Sequence, residues 1–141
     1  MDGSAAIEWV GGIQAQYLPS VWAQAAPLIE RALGRGRNEY RLEDIEAAIK
    51  CRDMQLWAYG VRASISAVAV TEILNYPRRR VCVVVLAAGE SRAVWPEAAK
   101  QIETWAKAQG CDEIRAIGRG GWSRAIPGWV KLDVVSGKVL T

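Results

Sequence analysis

The sequence predicts a mixed α/β (α+β) domain: an antiparallel meander leading into a β-α-β crossover, one mixed sheet with helices on both faces. Three observations carry this. Two segments of helical period come first. Three strand-like segments joined by short links follow, which implies antiparallel neighbours. Then the last of them, residues 81–88, runs through a short polar loop and an amphipathic helix into a further strand at residues 113–117. The 141 residues suit one domain with a core of its own, spanning 1–141 without repeats or linkers.

In order along the chain, residues 1–16 are weakly patterned and read as a loose arm or a strand near Ile7–Val10. Pro19-Ser20 opens a helix with Ser20 as N-cap, and Val21, Ala25, Leu28 and Ala32 on one face. Pro27 should kink or split it, and residues 34–36 stop it. A second helix spans 42–50, with Leu42, Ile45 and Ile49 on its buried side and Glu43 and Asp44 in its first turn. Strands follow at 55–59, 65–74 and 81–88. Pro96 suits the first turn of the next helix, whose apolar face is Ala98, Ile102, Trp105 and Ala106, and Gly110 ends it. The strand at 113–117 should lie parallel to 81–88 in the same sheet. A short helix near 122–126 and a closing hairpin, 129–135 with 138–140 around Ser136-Gly137, complete the reading.

Composition excludes several chemistries. There is no histidine, which removes Ser-His-Asp triads, His-based proton transfer and most zinc sites. Three separate cysteines show no metal-ligand spacing and read as reduced thiols; no metal is expected. Seven Trp and no Phe imply that Trp carries core volume, Trp57 and Trp105 above all. No apolar run reaches the ~20 residues of a membrane span, and the first residues lack the basic start of a secretion signal. The net charge of +3 is too small to indicate nucleic acid. Arg78-Arg79-Arg80 reads as a solvated hairpin tip in preference to a phosphate contact. Arg35 and Arg37 add little, because no aromatics interleave with these arginines.

The order helix, helix, three antiparallel strands, helix, strand, short helix, hairpin resembles that of GNAT-type N-acyltransferases over residues 18–140. Gln55-Leu56-Trp57-Ala58, Trp105-Ala106 with Gly110-Cys111-Asp112, and Gly118-Arg119-Gly120-Gly121-Trp122 resemble small GNAT-like proteins of tailed bacteriophages and prophages. That resemblance implies phage structural proteins or a second copy as partners, with a place in host cytoplasm or virion. It also implies acetyl-CoA as cofactor, held at the strand end and following loop by Val85, Ala87, Gly89, Ser91 and Arg92. In active members, an Arg/Gln-x-x-Gly-x-Gly/Ala loop holds the cofactor diphosphate on backbone N–H groups. Here the loop reads Gly89-Glu90-Ser91-Arg92-Ala93-Val94-Trp95. One glycine remains and Glu90 adds a negative charge, so weak or absent acetyl-CoA binding is expected, with Arg92 compensating in part. Loss of catalysis, leaving a virion or assembly module, is the first reading, and an N-acetyltransferase of unknown amine the alternative. A nucleic-acid-associated protein is the third. For catalysis, the resemblance implies a hydroxyl on the segment after the second strand of the crossover, where Ser123 stands. A carboxylate base would be Glu72 or Glu90. Read on residues alone, 118–121 is a turn and both glutamates are surface carboxylates. Arg119 and Trp122 lie where open sheets present binding sites, and are candidates for contact with a ligand or partner.

Overall fold

The computed structural model describes residues 9–61, 64–89, 94–117 and 121–141. Five strands, β1 (Trp9–Ile13), β2 (Met54–Val61), β3 (Ser64–Tyr76), β4 (Arg79–Gly89) and β5 (Glu113–Ala116), form one sheet in sequence order. The first four pair antiparallel, and β5 joins β4 in parallel through Val81–Val84. Helices α1 (Leu18–Leu33) and α2 (Leu42–Lys50) precede β2, α3 (Val94–Ala108) links β4 to β5, and α4 (Trp122–Ala125) follows.

Alternation along the strands builds two cores. On one face Leu56, Val68 and Val70 pack with Ile29, Ile45 and Ile49 of α1 and α2. On the other Tyr59, Ala69 and Val84 pack with Ala98, Ile102 and Ala106 of α3. Because both faces are covered, the middle of β3 is buried without a break from Ala67 to Thr71. That explains its continuous apolar run. The crossover is as the sequence predicts. Gly110, at φ +82, ends α3 in the left-handed region glycine tolerates, and Cys111 N–H closes on Ala106 C=O at 2.9 Å.

Several expectations are corrected. Of the two readings of the weakly patterned start, the strand holds with shifted bounds: β1, Trp9–Ile13, pairs antiparallel to β2, while residues 1–8 lie outside the described ones. Ser20 is not an N-cap: α1 begins at Leu18, whose burial draws the helix back, and Ser20 Oγ donates to Tyr17 C=O at 2.7 Å. Pro27 does not split α1; it lies on the exposed side, where the missing N–H leaves no buried carbonyl without a partner. The arginine run is no free hairpin tip. Arg79 pairs with Glu113, which also holds Arg115. Arg80 Nε donates to Gln109 C=O at 3.0 Å, and its guanidinium to Asn75 Oδ1 at 2.7 Å. Two of the three arginines thus fasten β4 to β5 and to the end of α3.

The Arg115 hydrogen bond above all holds Glu113 below the ordinary carboxylate value of 4.5; desolvation opposes it, and the Arg79 hydrogen bond and the two guanidinium charges add to the lowering. A carboxylate depressed in the fold adds stability that is complete above its unfolded value and is lost as pH falls through the folded one. Glu113→Gln is therefore expected to cost about 0.5–1 kcal/mol at neutral pH. Urea unfolding at several pH values should show the difference shrinking to nothing in acid.

The closing hairpin does not form: among the described residues no strand follows β5. Trp129 is tethered instead, its N–H to Ile126 C=O at 3.2 Å and its Nε1–H to Glu103 on α3 at 3.1 Å. Gly128, at φ +85, turns the chain just before it. The segment starts over α3, and a two-stranded hairpin on its own is marginal.

Candidate active site

The site is built where β4 and β5 part. Val70 faces Leu86 and Thr71 faces Val84, so Val85 is an extra residue, a bulge in β4. Val85 and Leu86 both pack towards α1 and α2, as two bulged residues opposite one require. The parallel ladder stops at the same place, with Val84 against Ala116. Beyond it, the outer edge of Val85–Gly89 has no main-chain partner among the described residues. This bare strip leads towards the first turn of α3. Val85, Ala87 and Gly89, which the resemblance implies as cofactor contacts, lie on it. Glu90, Ser91, Arg92 and Arg119 lie outside the described residues.

Gly89 has a packing reason to be glycine. A Cβ there would stand 2.5 Å from Ala67 Cβ and 3.3 Å from the Trp95 ring. Trp95 is a residue whose role the sequence did not reveal. Its ring meets the edge of Tyr59 at 6.1 Å and of Trp122 at 5.9 Å, and Trp122 stacks on Trp129 at 5.6 Å. These indoles join the start of α3 to α4. The slit they leave against Ala69, Val84 and Ile114 holds about 10 Å³, at most one water. Trp122 is half-buried. A roomier hollow of about 340 Å³ lies at the opposite edge, beside β1 and the end of α2.

Tyr59 is fully buried, and its hydroxyl finds no partner among the described residues. Burial pushes the phenol well above its ordinary value of 10.0. Tyr59 faces Ala67, which faces Gly89, so the orphan hydroxyl belongs to the end of the sheet where the loop begins. Tyr59→Phe is expected to raise stability by about 1 kcal/mol, since an unsatisfied buried donor is removed with the shape preserved. Thermal unfolding checks this.

Glu72 stands near the bulge. It faces Met54 and Val83 and follows Thr71, which faces Val84. Desolvation raises its carboxyl above 4.5, and burial, then the charge of Glu72, raises the Tyr40 phenol. A raised carboxyl is a better proton acceptor near neutrality. Glu72 lies five β3 residues from the partner of Gly89, roughly 17 Å along the strand, so it serves only the bulge end of the strip. Ser123 is half-buried on α4 next to Trp122, whose ring meets Trp95 at the start of α3. Burial, with a smaller effect of Cys111, pushes the Cys82 thiol up to about 12, and the side chain is fully enclosed in the sheet. No group of metal ligands occurs among the described residues, and no described helix is long and apolar enough to cross a membrane.

The strip fits an extended amide-bearing chain, as an added strand would fit it, and the start of α3 fits an anion at its end.

No family model matches the chain, and no curated protein matches it in sequence. Solved structures do match. Aminoglycoside N-acetyltransferase AAC(6')-Iy in complex with CoA superposes with a TM-score of 0.72 at 11% identity, over 99% of this chain and 98% of that one. The ribosomal-protein-alanine N-acetyltransferase of Brucella melitensis biovar Abortus 2308 gives 0.69 at 10% identity, over 94% and 99%. A GNAT family acetyltransferase of Staphylococcus aureus gives 0.63 at 13% identity, over 94% and 98%. With the four antiparallel strands and the parallel β5, these likenesses establish that the chain has the GNAT acetyltransferase fold.

Proposed function

We propose that the chain is an acyl-CoA-dependent N-acyltransferase of low cofactor affinity. The observation that carries this is the end of the β4–β5 ladder at the Val85 bulge, which leaves bare backbone leading to the start of α3. It does so in a fold shared with N-acetyltransferases, one of them solved with CoA. The cofactor supplies an activated acyl thioester. Val85, Ala87 and Gly89 present main-chain groups to its extended arm, and Ser91 and Arg92 serve its diphosphate. A backbone N–H between Val85 and Ala87 polarises the carbonyl oxygen. Glu72 keeps the acceptor amine neutral by taking its proton, through water, and Ser123 Oγ holds the proton required at the sulfur. Low affinity follows from Glu90 in the loop and from the Trp95–Trp122 contact. The acceptor is an amine; the similar proteins differ in theirs, so they do not narrow it.

Calorimetric titration of the full chain with acetyl-CoA tests the reading. A dissociation constant of roughly 100 μM is expected, about −5.5 kcal/mol. Arg92→Ala should weaken binding more than Arg79→Ala, since Arg79 is occupied by Glu113. No heat at millimolar acetyl-CoA would overturn it.

The indoles favour a second reading. With Trp95, Trp122 and Trp129 filling the slit, the chain is a GNAT-fold module without catalysis. It would serve assembly in a phage particle or infected cell, with phage structural proteins as partners, in host cytoplasm or virion. Absence of acetyl-CoA binding in both the natural chain and Trp122→Ala supports this reading over the first.

A further inference from the structure

We propose that the hollow of about 340 Å³ beside β1 and the end of α2 binds a small aliphatic carboxylate. Its volume falls in the range of small-molecule sites, with room for roughly ten non-hydrogen atoms at ~30 Å³ each. Ile13, Ile49 and Met54 give it an apolar wall. Arg52 and Gln55 also line it, and Arg52 brings the one charge; the rest of the lining is neutral. An apolar wall with a single cation suits a hydrocarbon chain that ends in one negative group.

The polar groups here are set to donate. Trp57 Nε1–H donates to Thr71 Oγ1 at 3.0 Å, and the Thr71 hydroxyl donates to Gln55 Oε1 at 2.9 Å. An indole N–H can only donate, so the direction of this relay is fixed from its buried end. Gln55 therefore turns its oxygen to Thr71. Its two Nε2 hydrogens find no acceptor among the described residues and are not sealed from solvent. Arg52 makes no ion pair and no side-chain hydrogen bond among the described residues. An amide NH2 and a guanidinium, both without acceptors, complement a carboxylate, whose oxygens only accept.

Arg52 also stands where glycine would be easier. Asp53 N–H closes on Ala48 C=O at 2.9 Å and Arg52 N–H on Ile49 C=O at 3.1 Å. Cys111 and Gly110 end α3 with the same pair of bonds, to Ala106 and Lys107. The motif needs a left-handed residue at its turn, and φ is +82 at Gly110 and +69 at Arg52. The chain thus uses glycine at the end of α3 but keeps an arginine in a strained conformation at the hollow. The same two bonds occupy the last carbonyls of α2, which mutes the negative end of the helix towards a bound anion. None of the lining residues belongs to the strip, the loop or the groups placed around the thioester, so this inference does not depend on the acyltransferase reading.

Titration of the full chain with sodium octanoate, followed by nuclear magnetic resonance, tests it. The Gln55 side-chain amide and the Arg52 backbone amide should shift and saturate with a dissociation constant below about 1 mM. Octylammonium, with the same chain and the opposite charge, should move neither. Arg52→Gly should weaken octanoate binding roughly tenfold or more while raising the thermal midpoint by about 3 °C, since glycine takes the left-handed conformation freely. A residue with a purely structural role would not move the two readouts in opposite directions. Gln55→Glu keeps an oxygen for Thr71 and sets a negative charge against the carboxylate, so it should weaken binding as strongly. No saturation at millimolar octanoate would overturn the proposal. So would an equal response to octylammonium, or an Arg52→Gly chain that binds octanoate as the natural one does.

Discussion

Trp57→Ala is expected to lower stability by about 3–5 kcal/mol, the largest loss from any single truncation on the α3 face. Trp57 is 6% exposed in the middle of β2. Its ring stands edge-on to Trp105 at 5.4 Å and lies over Gly12 of β1, 3.7 Å from where a Cβ on that residue would stand. Its Nε1–H donates to the buried Thr71 Oγ1 at 3.0 Å, and Thr71 in turn donates to Gln55 Oε1 at 2.9 Å. Truncation would therefore open a cavity beneath α3 and leave Thr71 short of a donor in a dry place. Trp57→Phe should recover part of the loss, since it restores volume but not the hydrogen bond. The sequence treats Trp105 as an equal partner, but it is only half-buried on the flank of α3. Its truncation should cost clearly less, on the order of 2 kcal/mol. Urea unfolding of the three variants gives the order directly, and a Trp105→Ala loss equal to that of Trp57→Ala would refute it.

What the sequence made legible was whatever a short window decides. The helices at 42–50 and 94–108 are marked by their periodic faces and by residues at their ends. β3 and β4 are marked by runs of Val, Ile and Ala too apolar for a one-sided sheet. Even the bulge region lay inside a segment named for cofactor contact. What stayed hidden depends on partners distant along the chain. Nothing near Arg79 announces Glu113, thirty-four residues on. Nothing near Tyr59 announces a buried hydroxyl left over beneath Trp95. The closing hairpin failed for a related reason. Its alternating Val and Leu residues express a preference for pairing, but the pattern does not name the strand that will receive them. The tether of Trp129 to α3 decides where the segment can begin. Ser20 shows the same limit on a small scale: a good capping residue lost its place because Leu18, just upstream, had a core to enter.

Gly89→Ala is the second change expected to cost heavily, about 1–3 kcal/mol from overpacking. It also separates two explanations for one glycine. The added methyl would sit 2.5 Å from Ala67 Cβ and 3.2 Å from Ala67 Cα, at the last pair of the β3–β4 ladder, with the Trp95 ring 3.3 Å away on its other side. If close packing is the reason for glycine, removing the opposing methyl should relieve the clash. The double variant Gly89→Ala with Ala67→Gly should then be more stable than the sum of the single losses predicts, by about 1 kcal/mol or more. If the glycine serves instead to let a cofactor approach the strand end, Gly89→Ala would weaken acetyl-CoA binding and the Ala67 change would not restore it. Stability and binding can move separately here, since the methyl points at Ala67 and Trp95 while the bare backbone edge of β4 lies in the plane of the sheet. A coupling near zero in the unfolding cycle would show that β3 and β4 yield at this point. The strand end would then owe its glycine to what binds there.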